Sequence, residues 1–168
     1  MNHEESKLQQ QCVAWFRAQY PHYAMLLTHP ANEGNGNRVS GAIHKAEGTV
    51  AGVPDLLLFL SAEYRKESGT GAQYMAFLER YHALGIEFKT PKGRQSQQQK
   101  DFQEMFEAAD YKYVIVRSFE DFEKEIKDYI AHVNQDLLCY ISLIHKGIVR
   151  KAEAKEREKF YKIIGKKL

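Results

Sequence analysis

The chain has 168 residues, of which 43% are hydrophobic and 27% are charged, so we expect one globular domain with a hydrophobic core. The longest apolar run is too short to span a membrane, and the polar, acidic beginning is unlike a secretory signal, so we expect neither a membrane-embedded nor a secreted protein. Cys12 and Cys139 fit no metal-ligand spacing, which favours two ordinary thiols in a reducing, cytoplasmic compartment.

The net charge of +2 is small, but the basic residues are unevenly distributed. Residues 88–100 contain four Lys or Arg and no acidic residue, and residues 136–168 contain nine Lys or Arg against four Asp or Glu. This distribution favours a face that binds a polyanion. The alternative is that the basic C-terminal helix is merely solvated.

The first predicted element is a helix over residues 4–20, which Pro21 ends. Its apolar residues recur at helical spacing, at Leu8, Cys12, Trp15 and Phe16. Glu5 lies three residues before Leu8, so we expect its carboxylate on the buried side of the first turn. There it either points into a site or interacts with the helix dipole.

Residues 29–52 are rich in Gly, Asn and polar residues, which predicts a long loop with a short helix near residues 41–47. Residues 54–60 are predicted as a buried strand. Residues 61–83 combine a charged, Gly-containing turn with a segment at 73–81 that fits either a strand or a helix.

Residues 85–90 are predicted as the next strand. Alternation along it places Ile86 and Phe88 on an apolar face and Glu87 and Lys89 on the opposite face. A carboxylate and an ammonium group therefore lie side by side on a strand whose other face belongs to the core.

A helix over residues 96–109 is predicted next, with its apolar face at Phe102, Met105, Phe106 and Ala109. A strand at 111–117, a helix at 119–133 and one or two helices within 136–165 complete the pattern. This order predicts an α/β fold with a central mixed β-sheet flanked by helices.

Two carboxylates and a lysine at strand ends form the candidate catalytic set. Asp55 and Glu87 supply the anionic oxygen ligands that Mg²⁺ or Mn²⁺ prefers, and the Phe88 carbonyl is a candidate neutral ligand. Lys89 is suited to orient a water or to offset charge in a transition state. Glu5 is a candidate to hold a second ion or a water. Each feature alone is common, but together, with a basic turn directly after the strand, they predict metal-dependent phosphodiester hydrolysis.

Basic and polar side chains near this strand are candidate contacts to a nucleic acid. Lys92, Arg94 and Lys100 follow the strand, and Asn32 and Arg38 lie in the predicted long loop. Lysine and arginine bind nucleic acid by neutralising phosphates. We therefore expect a nucleic-acid partner, with a solvated basic turn as the alternative.

Five ordered motifs carry a further signal. They are Glu5-x3-Gln9-x3-Val13-x-Trp15, His29-Pro30-x-Asn32, Lys45-Ala46-Glu47-Gly48-x2-Ala51-Gly52-Val53-Pro54-Asp55-Leu56, Ile86-Glu87-Phe88-Lys89-Thr90-Pro91-Lys92-Gly93-Arg94 with Ser96 and Gln99, and Tyr113-Val114-Ile115-Val116-Arg117-Ser118. In these motifs the chain resembles the VRR-NUC family, a branch of the PD-(D/E)xK nucleases, over about residues 5–130.

The resemblance implies a PD-(D/E)xK nuclease-like core and a metal-dependent phosphodiesterase that acts on DNA. It places metal ligands at Asp55 and Glu87 and the catalytic lysine at Lys89. It gives supporting roles to Glu5 and Gln99. It also implies a homodimer that cuts branched DNA, including four-way (Holliday) junctions.

Gln99 has a structural alternative, because Ser96 and Gln99 have the spacing of a helix capping box. Residues 1–135 are predicted as the nuclease domain, with an insert at about 61–83 that is longer than usual for the family. Residues 136–168 are predicted as a basic helical extension without a family counterpart. The alternative functions are a restriction-type or general nicking nuclease, a DNA-binding module without catalysis, and a metal-free hydrolase that uses the two carboxylates.

Overall fold

The computed structural model describes residues 3–30, 43, 45–68 and 75–164. Its helices are α1 (His3–Gln19), a 3₁₀ helix (Pro21–Leu26), α2 (Gln97–Ala108), α3 (Phe119–Ala131) and α4 (Gln135–Ile164). Its strands are β1 (Leu27–Thr28), β2 (Leu56–Leu58), β3 (Ala62–Ser68), β4 (Met75–Tyr81), β5 (Leu84–Phe88) and β6 (Lys112–Val116). None of the described helices is long and apolar enough to cross a membrane.

The central sheet is mixed, as predicted, and its strands lie in the order β1-β2-β5-β6. The β1–β2 and β2–β5 pairs are antiparallel, whereas β5 and β6 are parallel. All five residues of β5 are buried, because β5 lies between two strands and helix α1 packs against it. Since β5 and β6 run in the same direction, their C-terminal ends meet at one edge of the sheet, where the Lys89 N–H donates to the Val116 carbonyl at 2.9 Å.

The hydrophobic core lies between α1, α3 and the sheet. Phe16 of α1, Phe88 of β5 and Phe122 of α3 are fully buried, and the rings of Phe88 and Phe122 stack with centroids 6.1 Å apart. Trp15 is partly buried and meets Phe122 edge-on. Each such buried side chain contributes about 1.5–3 kcal/mol. The apolar spacing of the first helix therefore predicted the face that packs onto the sheet.

The segment between the site strands forms a separate β-hairpin of β3 and β4, with Ala62 paired to Tyr81 at its base. The segment at 73–81 is therefore a strand over its described part, rather than a helix. Ala62 at the base is buried. Further along, the consecutive residues Phe77 and Leu78 are 50% and 65% exposed. Because neighbouring residues of a strand point to opposite faces, both faces of the hairpin are exposed there. The hairpin thus lacks a buried face at this point, which explains why its sequence shows no strand-like alternation.

Helix α2 begins at the predicted place, with the Ser96 side chain accepting from the Gln99 N–H. The predicted apolar face is wrong at two positions, because Met105 is 72% exposed and Ala109 is exposed just beyond the helix. The helix packs through the predicted Phe106, whose ring stacks on Tyr111 at 4.5 Å. Helix α4 is continuous, which decides between one C-terminal helix and two. Of the short helix predicted near residues 41–47, the described residues 43, 45 and 46 are helical.

Candidate active site

Asp55 lies immediately before β2 and is brought to β5 by the register of the sheet, in which Leu56 pairs with Ile86. The Asp55 Oδ2 atom accepts a hydrogen bond from the Phe88 backbone N–H at 2.8 Å. This bond fixes one carboxylate oxygen beside the strand that carries Glu87. The predicted pair of carboxylates on neighbouring strands is therefore present, although Asp55 reaches β5 through a main-chain bond that alternation alone does not predict.

Glu87 is a buried carboxylate, with 1% of its surface exposed. Its Oε1 atom accepts hydrogen bonds from the Lys89 ammonium and the Gln99 side-chain amide. Its Oε2 atom accepts from the Tyr113 hydroxyl at 3.3 Å. Burying a charge is costly unless it is paired and hydrogen-bonded. The four side chains therefore form one connected unit, and Glu87 and Lys89 share a face of the strand as predicted.

Both carboxyl groups have pKa values above their ordinary range. Burial raises the pKa of Asp55, against the opposing effects of the Phe88 N–H and Lys89, and the nearby Glu5 raises it further. Burial also raises the pKa of Glu87, against the hydrogen bond from Lys89, and the charge of Asp55 adds to the increase. The site therefore gathers more negative charge than its surroundings compensate.

This donor set fits a divalent cation that binds oxygen. Mg²⁺ takes one or two carboxylates and keeps several waters, so two acidic side chains are sufficient for it. Within the described part of the chain, no group of three His, Cys, Asp or Glu side chains is arranged to hold a metal ion, which is unlike a structural zinc site. The pKa values of Asp55 and Glu87 are both raised, which means that their charged forms are disfavoured. A cation bound between them would favour the charged forms.

Glu5 extends the site from helix α1. Its Oε1 atom accepts from the Thr90 backbone N–H at 3.0 Å. The first turn of α1 is thereby attached to the residue that follows Lys89. Glu5 is partly buried, as its helical position predicted, and it is close enough to influence the pKa of Asp55.

Gln99 serves both purposes that the sequence left open. Its Oε1 atom accepts from the Ser96 backbone N–H at 2.9 Å, which completes the capping box at the start of α2. Its amide nitrogen donates to Glu87. Because an amide has a donor end and an acceptor end, one side chain begins the helix and orients the carboxylate.

The candidate DNA contacts lie beside this unit. Lys92 and Arg94 are exposed on the turn after β5, and Lys100 is exposed in the first turn of α2. Asn32 and Arg38 lie outside the described residues. The described cations therefore border the Glu87 edge of the sheet, which is the side from which a phosphate could approach.

Arg117 is a site residue to which sequence reasoning gave no role. Its Nη1 atom donates to the Thr90 carbonyl at 2.6 Å and to the Gly93 carbonyl at 2.9 Å. The Thr90 carbonyl also accepts from the Gly93 N–H at 3.0 Å, which closes the basic turn. Arg117 directly follows β6, and the parallel pairing of β6 with β5, which the sequence alone does not show, brings it to the basic turn.

His29 also contacts the site. Its Nδ1 atom lies 2.6 Å from the Asp55 carbonyl oxygen and 3.3 Å from the Gln9 amide nitrogen. His29 also borders a groove of about 670 Å³, whose lining includes Gln9, Gln10 and Arg17 of α1.

Comparisons with known proteins bear on the family and on the fold. A family model of the VRR-NUC domain matches residues 1–120, well over half of the chain. The chain belongs to the VRR-NUC family. A solved structure, a VRR_NUC domain protein, shares the fold with a TM-score of 0.58 and 22% identity, over 79% of this chain and 92% of that chain. A comparison with curated proteins gives no match.

Membership of the VRR-NUC family indicates a nuclease-type function, with DNA as the implied substrate and divalent metals as the general requirement. The matched residues include every candidate side chain named above, from Glu5 to Arg117. They do not include α4, which begins at Gln135.

Proposed function

We propose that this VRR-NUC protein is a Mg²⁺- or Mn²⁺-dependent DNA endonuclease that cleaves branched DNA, such as four-way junctions, as a homodimer. One observation carries the catalytic part of the proposal. Asp55, Glu87 and Lys89 meet at one edge of the sheet, and the two carboxyl groups have raised pKa values that a cation would relieve.

In this proposal Asp55 and Glu87 hold the cation, with the Phe88 carbonyl and Glu5 as further candidate ligands. When bound, a divalent cation supplies positive charge that polarises a phosphodiester and acidifies a nearby water. Lys89 then offsets negative charge on the phosphate or orients the attacking water. Its ammonium bonds Glu87 in the absence of substrate, so it lies close to where that charge would develop.

Other side chains position this set. Gln99 and Tyr113 donate to Glu87 and limit the orientations of its carboxylate. Glu5 and Arg117 hold two consecutive peptide groups at Thr90, the first through the Thr90 N–H and the second through the Thr90 carbonyl. The first of these groups joins Lys89 to Thr90, so the backbone after Lys89 is fixed where the chain leaves β5.

The DNA backbone is proposed to lie over the basic turn and the start of α2, with Lys92, Arg94 and Lys100 on phosphates. Asn32 and Arg38 of the long loop are proposed as further contacts. Backbone contacts of this kind report shape rather than sequence. They therefore support selection of branched structures with little base preference.

A four-way junction has approximate two-fold symmetry, and its resolution takes two incisions. The candidate residues supply one Asp55/Glu87/Lys89 set per chain, so paired incision calls for two chains related by a two-fold axis. We assign the nuclease to residues 1–135, with the segment at about 61–83 as an insert. Residues 136–168 are assigned as a basic helical extension.

The test is a cleavage assay on duplex, single-stranded, flap and four-way-junction DNA, with Mg²⁺, Mn²⁺ or EDTA. We expect metal-dependent incision that prefers the junction, and a Glu104→Gln control on the exposed side of α2 should behave like the wild type. Cleavage in EDTA would contradict the cation requirement. Equal cutting of plain duplex would favour a general nicking nuclease.

A further inference from the structure

Helix α4 presents an apolar stripe to solvent. Tyr140, Leu143, Ile144 and Ile148 are respectively 63%, 61%, 46% and 45% exposed. Their spacing of three and four residues places them on one face of the helix. The adjacent face packs on the protein, where Leu138 is buried and Leu137 and Ile141 are partly buried against the core. We define the outward stripe as residues 140–148 of this face.

A glycine lies near the C-terminal end of the stripe. Gly147 is one helical turn from both Leu143 and Ile144, and a Cβ atom added to it would meet nothing within 4 Å. Glycine inside a helix costs about 1 kcal/mol relative to alanine. No packing within the described chain accounts for that cost. A surface that needs a close approach from outside would account for it.

The charges at the two ends of the stripe are opposite. Asp136 lies one turn before Tyr140, and Lys151 lies one turn after Gly147, and both are exposed. A second α4 lying antiparallel would bring Asp136 beside the partner's Lys151 at both ends of the contact. A parallel arrangement would instead bring like charges together, which is destabilising.

The sizes of the side chains favour the same arrangement. In an antiparallel contact centred between Leu143 and Ile144, each Leu143 faces the partner's Ile144 across the two-fold axis. In the same register the ring of Tyr140 lies over the partner's Gly147. A large side chain opposite a small one lets two helices interdigitate.

We propose that the outward stripe of α4 is the surface by which two copies of this chain pair, antiparallel and about a two-fold axis between Leu143 and Ile144. The pairing rests on the proposed function, in which two active sites must be held together for paired incision. An isologous contact of this kind closes after two copies, so it gives a dimer and not a fibre. The surface lies outside the residues matched to the VRR-NUC family.

Light scattering on the full chain tests the pairing without any nuclease readout. The wild type should show twice the chain mass of 19.5 kDa at micromolar concentration, and Ile144→Glu should shift it to the single-chain mass. Met105→Glu is the matched control, since it also places a glutamate at an exposed apolar position but on α2. A far-UV circular dichroism spectrum that matches the wild type would show that Ile144→Glu still folds, since loss of pairing alone lowers the melting temperature.

Two further variants test the register. In a Cys139→Ser background, Ile144→Cys should form a disulfide-linked dimer under oxidation, whereas Lys146→Cys on another face should not. Asp136→Lys and Lys151→Glu should each weaken pairing at low salt, and the double exchange should restore it. In a parallel pair the double exchange would leave like charges opposed, so a failure to restore pairing would overturn the antiparallel register.

Three results would overturn the proposal itself. They are a wild-type monomer at micromolar concentration, a dimer that Ile144→Glu leaves intact, or binding of the monomer to anionic vesicles through the stripe. These outcomes are separate from the nuclease assay. A dimer that never cleaves DNA would leave this inference standing and refute the proposed function, whereas a monomeric nuclease would do the reverse.

Discussion

Two lysine–carboxylate pairs in this protein have opposite electrostatic character. Glu87 and Lys89 bond to each other with side chains that are 1% and 10% exposed, and burial raises the pKa of Glu87. Asp128 of α3 accepts from Lys112 of β6 at 3.3 Å with 47% of its side chain exposed. Burial there is outweighed by the hydrogen bonds from Tyr64 and Lys112, which lower the pKa of Asp128.

The difference separates a site from a structural contact. Tyr64 of the hairpin donates to Asp128 at 2.9 Å, and its ring stacks on the ring of His132 with centroids 3.9 Å apart. This cluster therefore attaches the insert to the core. Its charges are satisfied by its own members and by solvent. At the Glu87 pair the neighbouring Asp55 adds a second, partly buried carboxylate, which leaves negative charge for a cation to compensate.

Removing either carboxylate should have the largest effect on activity. Asp55→Asn and Glu87→Gln should each lower cleavage by about 10³-fold, since several kcal/mol of transition-state stabilisation depend on the cation. Folding and DNA binding should persist. Gel assays and thermal melts check both parts, and Asp128→Asn is the control, because its carboxylate belongs to the other pair. Cleavage at the wild-type rate by either site variant would refute the assignment.

Lysine replacement gives the next largest effect. Lys89→Ala should lower cleavage by about 10²-fold, the loss typical of one charge-stabilising donor. It should still bind Mn²⁺, because lysine is not a ligand, and calorimetric titration measures this. The matched control is Lys112→Ala, which should keep activity and lose thermal stability. If Lys89→Ala lost Mn²⁺ binding as completely as Asp55→Asn, its proposed role would be wrong.

The sequence predicted the parts of this site that depend on local periodicity. Alternation placed Glu87 beside Lys89, and helical spacing placed Glu5 on the buried side of α1. It could not predict contacts set by strand pairing. The Asp55 bond to the Phe88 N–H depends on the β2–β5 register, and the position of Arg117 depends on the parallel pairing of β5 with β6. The hairpin was ambiguous because its exposed middle carries no alternation.

Arg117 should affect DNA binding more than chemistry. Because it donates to the Thr90 and Gly93 carbonyls, Arg117→Gln should loosen the basic turn and raise KM about tenfold, the equivalent of one lost hydrogen bond from a charged group. Arg117→Lys keeps the charge but not the paired geometry, so it should restore little of the loss. Full rescue by lysine would show that charge alone matters, and a fall in Mn²⁺ affinity would place Arg117 in the metal site.

The basic turn should determine the salt dependence of binding. Each phosphate contact contributes about 0.9 to the slope of log affinity against log salt. Lys92→Ala with Arg94→Ala should therefore flatten that slope by about two, and Lys124→Ala with Lys127→Ala on α3 is the matched double control. Titration of labelled junction DNA over a range of salt concentrations measures both. A slope unchanged by the first pair would place the DNA elsewhere on the protein.

The smallest expected effect is on stability. The acids of the active site and Asp128 should change the free energy of unfolding with pH in opposite directions. In EDTA, Asp55 and Glu87 bind protons more tightly in the folded than in the unfolded chain, so their contribution to the free energy of unfolding is greatest below their ordinary pKa values of 3.8 and 4.5. It is lost as the pH rises through the raised values. Asp128, whose pKa is lowered, contributes above 3.8 and loses that contribution as the pH falls.

Replacing these acids should reveal the opposite signs in thermal melts without metal. Asp55→Asn should raise the melting temperature at pH 7 by a few degrees. The reason is that the amide still accepts from the Phe88 N–H but carries no charge. The gain should shrink towards pH 4. Asp128→Asn should lower the melting temperature at pH 7, with a loss that also shrinks in acid. Added Mn²⁺ should raise the melting temperature of the wild type but not of Asp55→Asn. A destabilised Asp55→Asn at pH 7 in EDTA would mean that its carboxylate is already balanced by the fold, which would remove the main physical reason for placing a cation there.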